Sequence, residues 1–173
     1  MITKAEVRAY AVARLAPRLG RLVWDVGAGS GSVGIECATL GAAVVAVDDD
    51  PAACALVGRN AARHGVGHAV RVVAGAAPPV LAALPDPDAV FVGGGGLAVI
   101  EAALARRPDR AVVALAALDR VASALALLRG HGYRADGVQL SASRLADLPH
   151  GSVRLAATRP VVVLTGELPG RSS

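Results

Sequence analysis

Residues 25–31 form a glycine-rich segment whose backbone could approach a ligand closely. The segment reads Asp-Val-Gly-Ala-Gly-Ser-Gly, with glycines at Gly27, Gly29 and Gly31. Glycine permits tight turns and close approach because it has no Cβ atom, and a helix that starts beyond such a turn offers free N–H groups. The spacing differs from the GxGxxG dinucleotide fingerprint, whose third glycine would fall at Ser32. An ordinary structural turn is the alternative interpretation.

A second acidic residue follows at a spacing that fits a nucleoside-binding site. Asp48 lies 21 positions after the first of these glycines, at the end of a predicted strand, and a carboxylate at that place accepts both ribose hydroxyls in doubly wound sheets. A GxGxG loop with an acidic residue two positions before it is the pattern of methyltransferases that use S-adenosylmethionine (SAM). In that interpretation Asp25 lies near the methionine ammonium and Asp49 faces the adenine side. A solvated turn is the alternative, with Asp50 as the N-cap of the next helix.

Two further turns follow predicted strands and would line the same edge of the sheet. The turn at residues 75–78, Gly-Ala-Ala-Pro, would lie against the adenine in such an enzyme, and it fits an ordinary turn equally well. Residues 93–96 are four consecutive glycines, where methyltransferases that act on nucleobase amino groups carry an Asn/Asp-Pro-Pro-aromatic segment. The glycines leave backbone N–H groups free and supply no side chain that could act as a base. We therefore expect an open floor for a substrate at this place.

The elements that must position these residues alternate between strands and helices. Hydrophobic runs predict strands at residues 21–26, 43–47, 69–74, 89–92 and 110–116, and helices at 33–40, 51–64, 79–84, 97–106 and 118–130. These alternations predict an α/β fold with a doubly wound, mostly parallel sheet that is covered on both faces. Two final strands, 133–141 and 153–165, have no helix between them and predict an antiparallel pair at one edge.

A helix is expected before this pattern, at the start of the sequence. Thr3 and Glu6 have the spacing of a capping box, and the helix is expected to run to about Ala16, where Pro17 follows. We expect one domain, residues 1–173, with a capping helix at about 3–18 and a core at about 20–166.

Composition narrows the class of protein. Hydrophobic residues are 54% of the chain and charged residues 18%, which excludes intrinsic disorder. Apolar runs stay far below the roughly 20 residues of a membrane span, so we expect a soluble, cytoplasmic protein without a membrane partner. Aromatic residues are only 2%, which argues against a nucleic-acid partner bound by base stacking. The net charge of +4, carried by arginines with Lys4 as the only lysine, reflects either codon usage or an anionic ligand.

The cysteines and histidines show no metal-ligand spacing. Cys37 and Cys54 lie on separate predicted helices without a CxxC motif, so we interpret them as small buried hydrophobic residues. The four histidines are scattered along the chain. We therefore expect no metal site.

Three segments together resemble one enzyme family. They are Thr3-Lys4-x-x-Val7-Arg8, the run Trp24-Asp25-Val26-Gly27-Ala28-Gly29-Ser30-Gly31-Ser32-Val33, and the run Pro87-Asp88-Ala89-Val90-Phe91-Val92-Gly93-Gly94. The chain resembles, over about residues 3–166, the decarboxylating precorrin-6Y/precorrin-6B C15-methyltransferases of cobalamin (vitamin B12) biosynthesis. These are the CbiT-type enzymes and the carboxyl-terminal domain of CobL, the fused C5,C15-methyltransferase.

The resemblance implies a class I SAM-dependent methyltransferase, often tetrameric, that methylates C15 of a polycarboxylated tetrapyrrole and removes the carboxylate of its C12 acetate. From the motifs and the resemblance together, we predict the cofactor-binding residues Thr3, Asp25, Gly27, Ala28, Gly29, Ser30, Gly31, Asp48, Asp49 and Ala77. No nucleophile or catalytic triad is expected. The substrate-side candidates are Gly93, Gly94, Arg8, Arg144 and His150, the last two in a loop at residues 143–151 between the final strands.

Several alternatives remain open from the sequence. Surface charge is the simpler interpretation of Arg8, Arg144 and His150, and Glu36 could contact the methionine end or serve the structure. The fifth strand reads Ala-Leu-Ala-Ala-Leu-Asp at residues 114–119, where relatives tend to carry Asn-Ala-Val-Thr-Leu-Glu. A SAM-dependent methyltransferase acting on RNA or protein, and a non-catalytic scaffold that binds SAM or nucleic acid, are the competing functions.

Overall fold

The structure is a computed structural model, and it describes residues 4–170. Its strands are β1 Leu22–Val26, β2 Ala43–Asp48, β3 Val70–Ala74, β4 Ala89–Val92, β5 Arg110–Leu115, β6 Arg134–Leu140, β7 Ser143–Asp147, β8 Val153–Ala157 and β9 Val161–Glu167. Its helices are α1 Ala5–Leu15, α2 Ser32–Thr39, α3 Pro51–Arg63, α4 Ala77–Ala82, α5 Leu97–Ala105 and α6 Val121–Gly130. Short 3₁₀ turns occupy Leu118–Arg120 and Pro149–Gly151.

Seven strands form one sheet in the order β3-β2-β1-β4-β5-β9-β6. Strands β1 to β5 are parallel, and β9 pairs antiparallel with both β5 and β6. The predicted fold class is confirmed, including the antiparallel pair at one edge. From β1 the strand order runs outward through β2 to one side and through β4 to the other, which places a crevice at the carboxyl ends of β1 and β4. Ligands bind at such a switch point in open α/β sheets.

The core lies on both faces of the sheet because successive side chains of a strand point to opposite faces. On one face Trp24 and Val90 pack with Ile100 and Leu104 of α5. On the other face Val23 and the neighbouring strand residues pack against α1 and α2. The central strands β1 and β4 are buried over nearly their whole length. Their burial anchors the loops that follow at their carboxyl ends.

Residues 143–157 contradict the sequence-based expectation. Residues 143–147 and 153–157 pair as a separate two-stranded ribbon, β7–β8, where we expected a loop followed by one strand at 153–165. That expected strand is broken at residues 158–160, before β9 begins at Val161. Pro160 lies in this break, and proline has a fixed φ and no N–H for a strand ladder.

The start of α1 also differs from the expectation. The helix begins at Ala5 with Lys4 as N-cap and no side-chain capping hydrogen bond from Lys4, so the predicted N-cap position is wrong by one residue. The Glu6 carboxylate instead accepts a hydrogen bond from Arg144. Thr3 lies outside the described residues. The helix ends at Leu15, because the residue before Pro17 is disfavoured in helical backbone.

No helix within residues 4–170 has both the length and the apolar character that a bilayer crossing needs.

Candidate active site

The glycine-rich loop connects the carboxyl end of β1 to the start of α2. Gly27, Gly29 and Gly31 have φ values of +70°, +56° and +74°, a region that side chains with a Cβ rarely adopt. The N–H groups of Gly27 and Ala28 both donate to the carbonyl of Val47, at 2.9 and 3.1 Å. The positive φ values therefore explain why glycine occurs at these three positions, and the two hydrogen bonds hold the loop against the end of β2.

Asp48 ends β2 and faces this loop. Its carboxylate accepts hydrogen bonds from the N–H of Gly29 at 2.7 Å and from the N–H of Asp50 at 3.0 Å. An ionised carboxylate has about four acceptor positions, so two amides leave capacity for ligand hydroxyls. The predicted N-cap is confirmed, since the Asp50 side chain accepts from the N–H of Ala52.

A cavity of about 220 Å³ lies beside Asp48 at the carboxyl ends of β1 and β2. It is lined by Val26, Gly27, Val47, Asp48, Asp49, Gly75, Ala76, Ala77, Pro78, Gly94, Gly95, Ala98 and Val99. Four predicted cofactor residues are among them: Gly27, Asp48, Asp49 and Ala77. The predicted residues Asp25, Ala28, Gly29, Ser30 and Gly31 do not line this cavity.

The four-glycine segment forms the opposite wall of the crevice. The N–H of Gly93 donates to the carbonyl of Val26 at 2.9 Å. Within residues 4–170, the N–H groups of Gly94, Gly95 and Gly96 donate to no protein acceptor. An open floor with free amides is therefore present where we expected it.

A second cavity of about 170 Å³ lies on the far side of this segment, at the ends of β4 and β5. It is lined by Val92, Gly93, Gly94, Gly96, Ile100, Val113, Ala114, Leu115, Ala116, Ala117 and Arg120. Gly94 lines both cavities. The two spaces therefore lie on either side of a residue without a side chain.

Arg120 was not among the sequence-based candidates. A Cβ atom on Gly96 would lie 3.5 Å from its Nη1, so its guanidinium reaches back to the glycine segment. The signal that could have indicated it is the run of small apolar residues at 114–118, after which Asp119 and Arg120 are the first charged residues.

Asp25 is buried beneath the glycine loop, with 1% of its surface exposed. Its carboxylate accepts the N–H of Gly34 in the first turn of α2 at 2.8 Å. Desolvation raises the pKa of Asp25 to about 7, against the lowering effect of the Gly34 N–H; the charge of Asp48 adds to the rise. Asp25 thus fixes the start of α2, and its contact with a methionine ammonium stays a prediction.

Ser30 and Arg8 line a third cavity, of about 450 Å³, between α2 and α3. Arg8 forms an ion pair of 2.5 Å with Glu36, which also lines this cavity. Ser30 is buried, and its Oγ has no hydrogen-bond partner among the described residues. The structural alternative for Glu36 is therefore supported, while the substrate role of Arg8 stays a prediction.

Arg144 and His150 lie on the ribbon and not in the expected loop. Arg144 belongs to β7 and pairs with Glu6 of α1. His150 is exposed in the turn before β8, with φ of +67°. Neither residue lines any of the three cavities described above. Their role in substrate binding stays a prediction.

The two cysteines differ in their surroundings. Cys37 is fully buried, and desolvation, with smaller effects from Asp25 and Glu36, raises its thiol pKa to about 12. Cys54 is half-buried, and its Sγ donates to the carbonyl of Asp48 at 3.4 Å. The interpretation as a buried hydrophobic residue is confirmed for Cys37 and only partly met by Cys54. Among residues 4–170, no three His, Cys, Asp or Glu side chains cluster as metal ligands would.

Comparison with known proteins identifies close relatives of the chain. A family model described as "Precorrin methyltransferase domain" matches residues 1–164. A protein of Pyrobaculum calidifontis described as "Probable cobalt-precorrin-6B C(15)-methyltransferase (decarboxylating)" is 40% identical over 171 residues, which cover 95% of this chain and 87% of the relative. A "Precorrin-6Y C(5,15)-methyltransferase [decarboxylating]" of Sinorhizobium is 50% identical over 107 residues, 60% of this chain but only 26% of that longer protein.

Solved structures that resemble the chain also include proteins that are named as precorrin enzymes. A precorrin-6Y C5,15-methyltransferase of Geobacter metallireducens superimposes with a TM-score of 0.86 at 32% identity, over 96% of this chain and 90% of the other. A precorrin 8W decarboxylase of Methanobacterium thermoautotrophicum gives a TM-score of 0.89 at 28% identity, over 97% and 92%.

Proposed function

The chain belongs to the family of precorrin methyltransferase domains, and we propose that it uses SAM to methylate C15 of a precorrin-6B-type tetrapyrrole and removes the carboxylate of the C12 acetate. One observation carries the proposal beyond family membership. Gly94 lines two cavities, one beside the Asp48 carboxylate and one with an apolar lining. Such a pair of spaces on either side of one glycine would bring the nucleoside part of a cofactor close to one edge of a larger substrate.

The residues around the first cavity fit the nucleoside part of SAM. Asp48 would accept the ribose hydroxyls, and the turn at Ala77 would lie against the adenine, with Asp49 on the same side. The loop from Gly27 to Gly31 would hold the methionine part, together with Asp25; Thr3 is assigned by resemblance alone. When bound, SAM supplies an electrophilic methyl group on a sulfonium.

The chain itself would contribute alignment rather than acid–base chemistry. Arg120 is the only titratable residue that lines the second cavity. The four-glycine segment beside it offers backbone N–H groups rather than an acid or a base. Holding two reactants in a near-attack geometry can supply about 7–11 kcal/mol of a barrier. An electron-rich meso carbon of a reduced tetrapyrrole needs no further activation to attack such a methyl group.

Loss of CO₂ requires an electron sink and a site that does not solvate the carboxylate. The conjugated macrocycle is the sink for the electron pair of the broken C–C bond, and the methylene carbon left at C12 then takes up a proton from solvent, which balances the proton that C15 loses on methylation. The second cavity has a largely aliphatic wall, including Val92, Ile100, Val113 and Leu115, and exclusion of water raises the energy of an unpaired carboxylate. We propose that the C12 acetate reacts against this aliphatic wall, out of reach of the Arg120 guanidinium that lines the same cavity.

We further propose that the protein is a homo-oligomer, a tetramer by its resemblance, in the cytoplasm. Four of the seven exposed large hydrophobic residues within the described part of the chain lie on the β7–β8 ribbon: Leu145, Leu148, Val153 and Leu155. Leu145 and Leu155 are directly paired, and Val153 shares their face. An apolar face concentrated on one exposed ribbon favours contact with a second copy of the chain.

The proposed reaction can be tested with purified protein, SAM and precorrin-6B, with products separated by chromatography and identified by mass spectrometry. We expect a product that has gained one methyl group and lost one carboxyl group. SAM binding without turnover of this substrate would contradict the substrate assignment, and absence of SAM binding would contradict the enzyme class.

Substitutions of Gly94 and Gly58 by leucine test the role of the four-glycine segment, with Gly58 as the matched control. Gly94→Leu adds a side chain at the residue that lines both cavities, and a Cβ there meets no atom within 4 Å, so the fold should tolerate it. Gly58→Leu adds the same side chain in equally open space on α3. Turnover should fall steeply for Gly94→Leu alone, and equal rates in both variants would contradict the placement of the reaction.

A further inference from the structure

Arg120 holds a position that the sequence did not indicate. It ends the 3₁₀ turn after β5 and precedes α6, and its guanidinium lies over the end of the four-glycine segment, near Gly96. It lines the second cavity, whose other lining residues are glycines and aliphatic residues. Arg120 is therefore the only charged residue among those that line this cavity.

The electrostatic state of Arg120 differs from that of the arginines singled out from the sequence. Arg8 is paired with Glu36, and Arg144 with Glu6. Arg120 has no acidic partner among residues 4–170. Its planar set of donors is therefore free for a ligand, and that geometry matches a carboxylate through two parallel hydrogen bonds.

We propose that Arg120 binds a carboxylate of the substrate and thereby positions the macrocycle above Gly93 and Gly94. The inference rests on the proposed function for its ligand class, a polycarboxylated tetrapyrrole. The cavity beside Arg120 adjoins the cofactor cavity at Gly94, so a carboxylate held here fixes the ring next to the point of methyl transfer.

The bound carboxylate is one that the product retains. Pairing with a guanidinium stabilises a carboxylate, and this stabilisation is lost when the charge moves into the ring during release of CO₂. An interaction that is stronger in the ground state than in the transition state slows the reaction. Arg120 therefore orients the substrate by a different side chain from the C12 acetate, and it contributes equally to the bound substrate and to the transition state.

Arg120→Gln tests the proposal, with Arg129→Gln as its control. Both residues are exposed arginines beside one helix, Arg120 as the N-cap of α6 and Arg129 in its last turn, and Arg129 does not line the cavity. For Arg120→Gln we expect KM for precorrin-6B to rise about tenfold or more, since hydrogen bonds to charged groups are worth that much. The value of kcat should change little, because loss of an interaction made equally with the bound substrate and with the transition state raises KM alone. The affinity for SAM should be unchanged.

A binding experiment keeps this inference separable from the proposed reaction. Uroporphyrin, a stable tetrapyrrole with eight carboxylates, serves as a probe in a fluorescence titration of the SAM-free protein. Weaker probe binding by Arg120→Gln than by wild type and Arg129→Gln supports the inference even if precorrin-6B is not turned over. Equal probe binding by all three proteins, no probe binding by wild type, or an unchanged KM in Arg120→Gln would overturn it.

Discussion

Gly27 and Gly94 are in contact across the crevice between β1 and β4. A Cβ atom on Gly27 would lie 2.9 Å from the backbone nitrogen of Gly94 and 3.2 Å from its Cα. Real Cβ atoms do not approach backbone so closely, so the two glycine segments can meet only because position 27 has no side chain. This contact brings the glycine-rich loop at residues 25–31 next to the four-glycine segment at residues 93–96. Asp48 lies beside the loop, and Arg120 lies beside the segment.

Substitution of Gly27 should disturb the site through this contact. Gly27→Ala places a methyl group against Gly94 at a residue with φ of +70°, so we expect lower stability and a loss of SAM affinity of at least about tenfold. Gly20→Ala is the control, because its φ of +81° carries the same backbone strain while its Cβ meets no atom within 4 Å. Thermal melts and calorimetric titration measure both effects. Equal losses of affinity in the two variants would mean that the contact is unimportant.

Asp48 should be the main polar anchor of the cofactor. Because hydrogen bonds to a charged acceptor contribute about 1.5–3 kcal/mol each, Asp48→Asn should weaken SAM binding about tenfold or more in a calorimetric titration. Asp50→Asn changes the same side chain two residues later, and asparagine retains the helix cap there. Its SAM affinity should match wild type. An Asp48→Asn protein with wild-type affinity would remove Asp48 from the site.

Burial of Asp25 should make stability depend on pH. Its folded-state pKa of about 7 exceeds the value of about 3.9 expected in the unfolded chain, so the native state binds more protons between these values. The free energy of unfolding should therefore fall as pH rises from about 4 to about 7, by up to roughly 4 kcal/mol from this group, and level off above.

Asp25→Asn isolates that effect. The amide oxygen can still accept the N–H of Gly34, but the side chain does not titrate, so this part of the pH dependence should disappear in chemical denaturation curves. Asp147→Asn, at an exposed carboxyl on the ribbon, should keep the wild-type slope. A slope that survives in Asp25→Asn would show that other groups cause it.

The ribbon should govern assembly. Leu145→Glu places a charge on its apolar face, where Leu145 is 75% exposed and pairs with Leu155, so we expect the oligomer to dissociate to smaller species in light scattering coupled to size-exclusion chromatography. Leu19→Glu changes a residue that is 88% exposed and lies outside the ribbon, and it should leave the mass unchanged. A monomeric wild-type protein, or an unaltered mass in Leu145→Glu, would contradict the proposed interface.

The parallel half of the fold could be predicted because its signals are local. Each strand from β1 to β4 is a short, mainly apolar run that ends at glycine or aspartate, and each strand from β1 to β5 is followed by a helical segment. Asp48 and the glycines at 93–96 could be placed at one edge because parallel strands bring their carboxyl ends together.

The ribbon and Arg120 depend on long-range structure and could not be predicted in the same way. Strand β7 exists through its pairing with β8, and its residues are mostly exposed, so no core face imposes an apolar pattern on them. Arg120 reaches Gly96 only because the chain turns back after β5. Conversely, the spacing of Thr3 and Glu6 predicted Thr3 as the N-cap, whereas Lys4 is the N-cap and Glu6 pairs with Arg144 on the ribbon.

We propose that one site performs both methyl transfer and decarboxylation on a precorrin-6B-type tetrapyrrole. The most direct test follows a methyl label from SAM and a carboxyl label in the C12 acetate within the same reaction. We expect the methyl label to appear at C15 and one labelled CO₂ to be released for each methyl group transferred. Methyl transfer to another position, or turnover without release of labelled CO₂, would contradict it.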